Sequence, residues 1–215
     1  MMRETILVLA ISLTKNSVKP LLKSKDKTMI QHISALNLSP TSIEIMRNLE
    51  RRVEDLIADN PKEAFQDGKL NIKLGSNSNL EYGLGRTKNR HMIETIAKDV
   101  LLSVGLPDDE VEKTIPEADL LVFSEVDEHT DDHGMRYLAV LRAPNGFEIN
   151  TEDEDGELYS DILADRHLYV FNEELPHSVT RHTFVRSTLY DRANDYCIAI
   201  NMPCNHPYFN SDKKG

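Results

Sequence analysis

Three residues in this 215-residue chain have the right types and spacing for metal chemistry. His129 and Asp131 form an H-x-D triplet within Glu128-His129-Thr130-Asp131-Asp132-His133. His177 closes the later stretch Leu168-Tyr169-Val170-Phe171-Asn172-Glu173-Glu174-Leu175-Pro176-His177. Two imidazoles and one carboxylate can hold one face of a divalent ion such as iron(II) and leave the opposite face open for reaction. On a strand, residues i and i+2 point to the same side, so strand geometry would turn His129 and Asp131 toward one ion. A competing pair, His129 and His133, has H-x-x-x-H spacing, which suits zinc when it lies on a helix. Gly134 follows at once and the flanks read as strands, so that pairing is disfavoured.

Whatever positions these residues must be strand-rich, because the period of apolar residues changes from helical to alternating near residue 117. Candidate strands cover 119–126, 136–143, 146–151, 158–164, 166–172, 178–190 and 196–202. They are separated by turn signals such as Pro144-Asn145-Gly146 and Asp155-Gly156. Short strands at this spacing imply a β-sandwich or barrel. The acidic stretch Glu152–Glu157 reads as an exposed hairpin loop, since it lacks the spaced oxygen ligands of a calcium loop.

The first half differs. Ser39-Pro40-Thr41-Ser42-Ile43-Glu44 announces a helix, with Thr41 and Glu44 at capping-box spacing. Ile45, Met46, Leu49, Val53, Leu56 and Ile57 then recur at helical spacing until Asn60-Pro61. Leu70–Leu74 alternates as a half-buried strand. A second helix is expected from 89 to 104, with Met92, Ile93, Ile96, Val100 and Leu101 on one face and Gly105 as its C-terminal cap. Ile6–Leu13 is expected to be a first strand or buried segment. The predicted class is therefore α+β with a mainly β core. It is expected to be a single domain over 1–215: helical or mixed support to 116, β core over 117–202, and a tail from 203 to 215.

Composition narrows the function. The formal net charge is −11, and residues 107–175 carry 21 acidic against 4 basic side chains. Such a surface repels phosphate, which makes nucleic acid an unfavoured partner. No apolar run is long enough to cross a bilayer as a helix. Two cysteines, Cys197 and Cys204, make no disulfide framework, so a reducing, cytoplasmic setting is expected. Cys197 is expected to be a small buried apolar residue, and Tyr137, Tyr169, Phe171 and Tyr196 core or pocket wall.

Over residues 117–202 the chain resembles the iron(II)- and 2-oxoglutarate-dependent dioxygenases of double-stranded β-helix (jelly-roll, cupin-like) fold, with spacing nearest the prolyl-hydroxylase-like branch. Val126–Asp131 looks like that family's first-ligand strand, Arg136–Leu141 is similar to the strand after it, and Asp165–Val179 resembles the approach to the distal histidine. The resemblance implies iron(II) bound by His129, Asp131 and His177, with 2-oxoglutarate as co-substrate and dioxygen as oxidant. It implies hydroxylation of a C–H bond on a protein side chain or a small molecule. It also implies a basic residue for the distal carboxylate of 2-oxoglutarate. Arg186, in Arg186-Ser187-Thr188 nine positions after His177, fits that role, with Arg192 in reserve. A planar guanidinium can bind a carboxylate in two places. With His182, Arg181 and Arg186 are expected to form a small basic patch at the mouth. Two other readings share the fold: a non-catalytic binding module, and a cupin-like metalloenzyme that does not use 2-oxoglutarate.

Overall fold

The structure is a computed structural model, and it describes residues 30–59, 65–66, 69–74, 86–144, 146–181 and 196–205. The expected first strand at Ile6–Leu13 and the predicted strand beyond residue 181 lie outside these residues, as do Arg186 and Arg192. Among the described residues, β1 (Ile30–Ala35) leads into α1 (Pro40–Asp59), followed by the short β2 (Phe65–Gln66) and β3 (Lys69–Leu74). Next come α2 (Arg86–Ser103), α3 (Asp108–Thr114) and a 3-10 turn (Ile115–Glu117). Eight strands complete the core: β4 (Asp119–Phe123), β5 (Val126–His129), β6 (Met135–Arg142), β7 (Phe147–Glu152), β8 (Leu158–Ile162), β9 (His167–Asn172), β10 (His177–Arg181) and β11 (Cys197–Pro203).

Two antiparallel sheets result. The larger has the order β1-β9-β6-β11-β4-β3-β2, and the smaller β5-β10-β7-β8. From β4 to β11 the chain passes repeatedly between the sheets, which is the winding of a double-stranded β-helix, in keeping with the mainly β core expected. The sequence within β6 shows how each strand serves two layers. Tyr137, Ala139 and Leu141 face the helices with Leu49 and Ile96. Leu138 and Val140 face the gap between sheets with Phe147, Ile149 and Tyr169. A strand covered on both sides is apolar without alternation, and seven-residue runs such as β11 are buried almost throughout for that reason.

The helices cover the larger sheet, as expected. Met46, Leu49 and Val53 form the buried line of α1, and the predicted face of α2 is buried from Met92 to Leu101. Gly105 has φ +81°, and Leu106 N–H reaches back to Leu101 O at 3.2 Å, a left-handed helix stop. The N-terminal cap of α1 differs from expectation. The Ser39 hydroxyl, not that of Thr41, accepts Ser42 N–H at 3.2 Å, and Pro40 is the first helical residue, where its missing N–H costs nothing.

Three elements depart from the sequence reading. β1 has no counterpart among the expected strands; it is an edge strand that pairs with β9 and is only partly buried, so its apolar pattern is weak. α3 was not foreseen; only seven residues long, it buries Val111 and Thr114 and carries Asp108, Asp109 and Glu110 in its first turn, where the helix dipole favours them. The expected strand 119–126 breaks at Ser124-Glu125, so that β4 stays in the larger sheet and β5 crosses to the smaller. That crossing delivers His129 to its site.

Candidate metal centre

His129, Asp131 and His177 come together at the end of the sandwich where β5 finishes and β10 begins. One ligand atom from each lies within 4.8 Å of the others. Pairing of β5 with β10 sets His129 directly opposite His177, with ring centroids 4.3 Å apart. Nε2 of His129 lies 3.6 Å from a carboxylate oxygen of Asp131. The geometry corrects one expectation: Asp131 is not on the strand. β5 ends at His129, and Asp131 sits in the loop beyond it, held by its N–H donating to Glu173 O at 2.8 Å.

Each imidazole is oriented by its own backbone. Nδ1 of His129 lies 2.8 Å from Asp127 O, and Nδ1 of His177 lies 2.9 Å from Leu175 O. A carbonyl only accepts, so both Nδ1 atoms carry the proton and both Nε2 lone pairs are left for an ion. Burial holds the His177 imidazole below the ordinary histidine pKa, which favours the neutral form a metal requires. Phe171 meets His177 edge-on at 5.3 Å and forms the apolar floor.

The donor set fits a divalent ion of the iron or zinc type. Bonds of about 2.1 Å separate neighbouring ligand atoms by about 3 Å, so the triad must close slightly around an ion. His177, 7% exposed, is the fixed member; the side chains of His129 and Asp131, 40% and 47% exposed, have room to swing inward. His133 is exposed and belongs to no such cluster among the described residues, which leaves the H-x-x-x-H pairing without support. Arg181 lies at the opposite end of β10 from His177, roughly 13 Å away at the strand rise, so it does not sit at the mouth.

Four inward-facing polar residues were missed by the sequence reading. Thr151 is opposite His177 in register, is 1% exposed, and its hydroxyl has no hydrogen-bond partner among the described residues. Arg136, Glu173 and Asn201 form a buried network. Asn201 Nδ2 donates to Glu173 Oε1 at 2.5 Å, Arg136 Nε donates to Asn201 Oδ1 at 3.1 Å, and Arg136 Nε lies 3.7 Å from Glu173 Oε2. The signal was present as phase: Arg136 shares a side of β6 with Leu138 and Val140, and Glu173 continues the inward series of Tyr169 and Phe171.

No family model matches the chain, and no curated protein matches it. Among solved structures it is similar to a full-length protein of Neurospora crassa. The complex of that protein with alpha-KG aligns at 11% identity and a TM-score of 0.48, over 82% of this chain and 73% of the other. Its complex with alpha-KG and 5-formyluracil aligns at 10% identity and 0.47, over 82% and 74%. The coconut allergen cocosin aligns at 10% identity and 0.31, over 40% of this chain and 20% of its own. The strand order and alternation between sheets are themselves those of a jelly roll.

Proposed function

We propose that this protein is an iron(II)- and 2-oxoglutarate-dependent dioxygenase that hydroxylates a C–H bond. The observation that carries the reading is the convergence of His129, Asp131 and His177 at one end of a jelly roll, with both Nε2 lone pairs available to an ion. Bound iron(II) would supply the dioxygen chemistry that couples decarboxylation of 2-oxoglutarate to hydroxylation. The chain's own residues do the rest. His177 and Phe171 form the rigid, water-poor side of the site, and His129 and Asp131 close from the exposed side. For the distal carboxylate of the co-substrate we retain Arg186, with Arg192 as second choice. A protein side chain is the slightly favoured substrate, because the spacing resembles that of the prolyl-hydroxylase-like branch; a nucleotide or small metabolite is the alternative.

The test is turnover. Protein purified without oxygen is mixed with iron(II) and 2-oxoglutarate, oxygen is admitted, and succinate is measured. Succinate is expected from the wild type and not from His129→Ala or Asp131→Ala. A chain that binds neither iron nor 2-oxoglutarate would overturn the proposal.

Thr151 provides a narrower check. Its unpartnered hydroxyl faces the interior beside His177, where an oxygen of a 2-oxo acid would satisfy it. Thr151→Val keeps the shape and removes the polar atom. The free protein is expected to melt at the same temperature or slightly higher. Binding of 2-oxoglutarate to the Mn(II)-loaded chain should weaken by about two- to tenfold, the worth of one hydrogen bond. Unchanged calorimetric affinity would remove Thr151 from the co-substrate's surroundings.

A further inference from the structure

We propose that Glu173 is a positioning residue that ties the two ligand-bearing segments to the jelly-roll interior; the inference rests on the metal-site reading above. β9 ends at Asn172, and Glu173 opens the turn that delivers His177. Both main-chain groups of Glu173 reach across to the loop that carries Asp131. Its N–H donates to Gly134 O at 2.9 Å, and its carbonyl accepts from Asp131 N–H at 2.8 Å. The loop from 131 to 134 is therefore closed upon a single residue. Two positions further on, the Leu175 carbonyl sets the ring of His177. Displacing Glu173 would move Asp131 directly and His177 through its orienting carbonyl.

What fixes Glu173 is its side chain. It is 3% exposed and points inward, where Asn201 from β11 and Arg136 from β6 hold its two oxygens. β9, β6 and β11 are neighbours in the larger sheet, so the anchor spans three adjacent strands. A carboxylate suits the position because one oxygen must accept from an amide and the other must face a guanidinium. His129 stands outside this arrangement; strand pairing and the Asp127 carbonyl place it. Groups that orient ligands without touching the ion commonly control affinity by tens of fold.

The experiment is Co(II) titration of the full chain, read by calorimetry and by the visible spectrum at saturation, which reports coordination geometry. Folding of each variant is verified by circular dichroism. Glu173→Ala is expected to bind Co(II) about 10- to 100-fold more weakly, with an altered spectrum at saturation. Glu173→Gln keeps an acceptor for Asn201 but turns an amide N–H toward Arg136, so it should recover part of the affinity lost in Glu173→Ala and move the spectrum toward that of the wild type. If Glu173→Ala does not fold, Asn201→Ala decides, since it releases the same anchor from the other side and should shift affinity and spectrum in the same direction. A folded Glu173→Ala or Asn201→Ala chain with wild-type affinity and spectrum would overturn the proposal, as would a Gln variant no better than Ala. A wild-type chain that takes up no Co(II) would overturn the metal-site reading and this proposal together. Wild-type binding with indifferent variants overturns this proposal alone.

Discussion

His177→Ala is expected to bind Mn(II) more than about 100-fold more weakly than the wild type, because removing a ligand costs more than disturbing the groups that orient it. Of the three candidate ligands, His177 is the one the fold does not allow to move. It is 7% exposed, its ring is set by Leu175 O, and Phe171 packs edge-on against it. The remaining pair, His129 and Asp131, are exposed side chains on a strand end and a loop, and two such groups do not define a face. Folding should survive, with the melting temperature lowered by about 1–12 °C, since truncating a buried side chain costs about 0.5–3 kcal/mol and each kcal/mol is worth about 2–4 °C. His133→Ala is the matched control. It lies four residues from His129 but is exposed and outside the cluster, so Mn(II) affinity should not change. Calorimetric titration of the two variants separates the arrangements cleanly. Loss of affinity in His133→Ala with retention in His177→Ala would mean that the metal is held by the H-x-x-x-H pair instead.

The contrast between those two histidines shows how far the sequence could be read. Spacing brought His129, Asp131 and His177 forward, and strand pairing places the two histidines opposite each other, a relation that needs only local periodicity and the return of the chain. The break at Ser124-Glu125 was not legible. Phe123 and Val126 are both apolar, and nothing local says that the chain changes sheets between them. Asp131 joins the cluster for a reason other than strand geometry. The i, i+2 rule of strands does not reach it; its N–H donates to the carbonyl of Glu173, more than forty positions later, and that bond does the placing. The Arg136–Glu173–Asn201 network stayed hidden for a related reason. Each member looks like an ordinary surface residue in its own window, and only the inward phase of three strands together reveals that they meet. Ser39 in place of Thr41 as the cap is a smaller case: two hydroxyls compete within three residues, and the Pro at the first helical position decides between them.

Arg136→Met is expected to be among the most destabilising single changes in the described core, lowering the melting temperature by about 6–20 °C. The side chains of Arg136 and Glu173 are 5% and 4% exposed. Removing the cation leaves the carboxylate buried with Asn201 as its remaining partner, and breaking such a pair costs about 3–5 kcal/mol. For a chain of this length each kcal/mol is worth about 2–4 °C. The cost arises from the stranded charge, not from the loss of an attractive contact, and this distinction has a measurable consequence. Adding Glu173→Gln removes the stranded charge while keeping an acceptor for Asn201. The double variant should therefore be more stable than Arg136→Met alone, recovering to within about 2 kcal/mol of wild type. In this double-mutant cycle, read from thermal or urea melts, the two changes should be less than additive, whereas two independent lesions would simply add. If Arg136→Met melts with the wild type, Glu173 is not held in a dry interior and its tether to the ligand loop loses its anchor. If the double variant is stable and still binds Co(II) with the wild-type spectrum, the ion pair serves stability, and the hydrogen bond from Asn201 is what holds Glu173, and through it Asp131, in place.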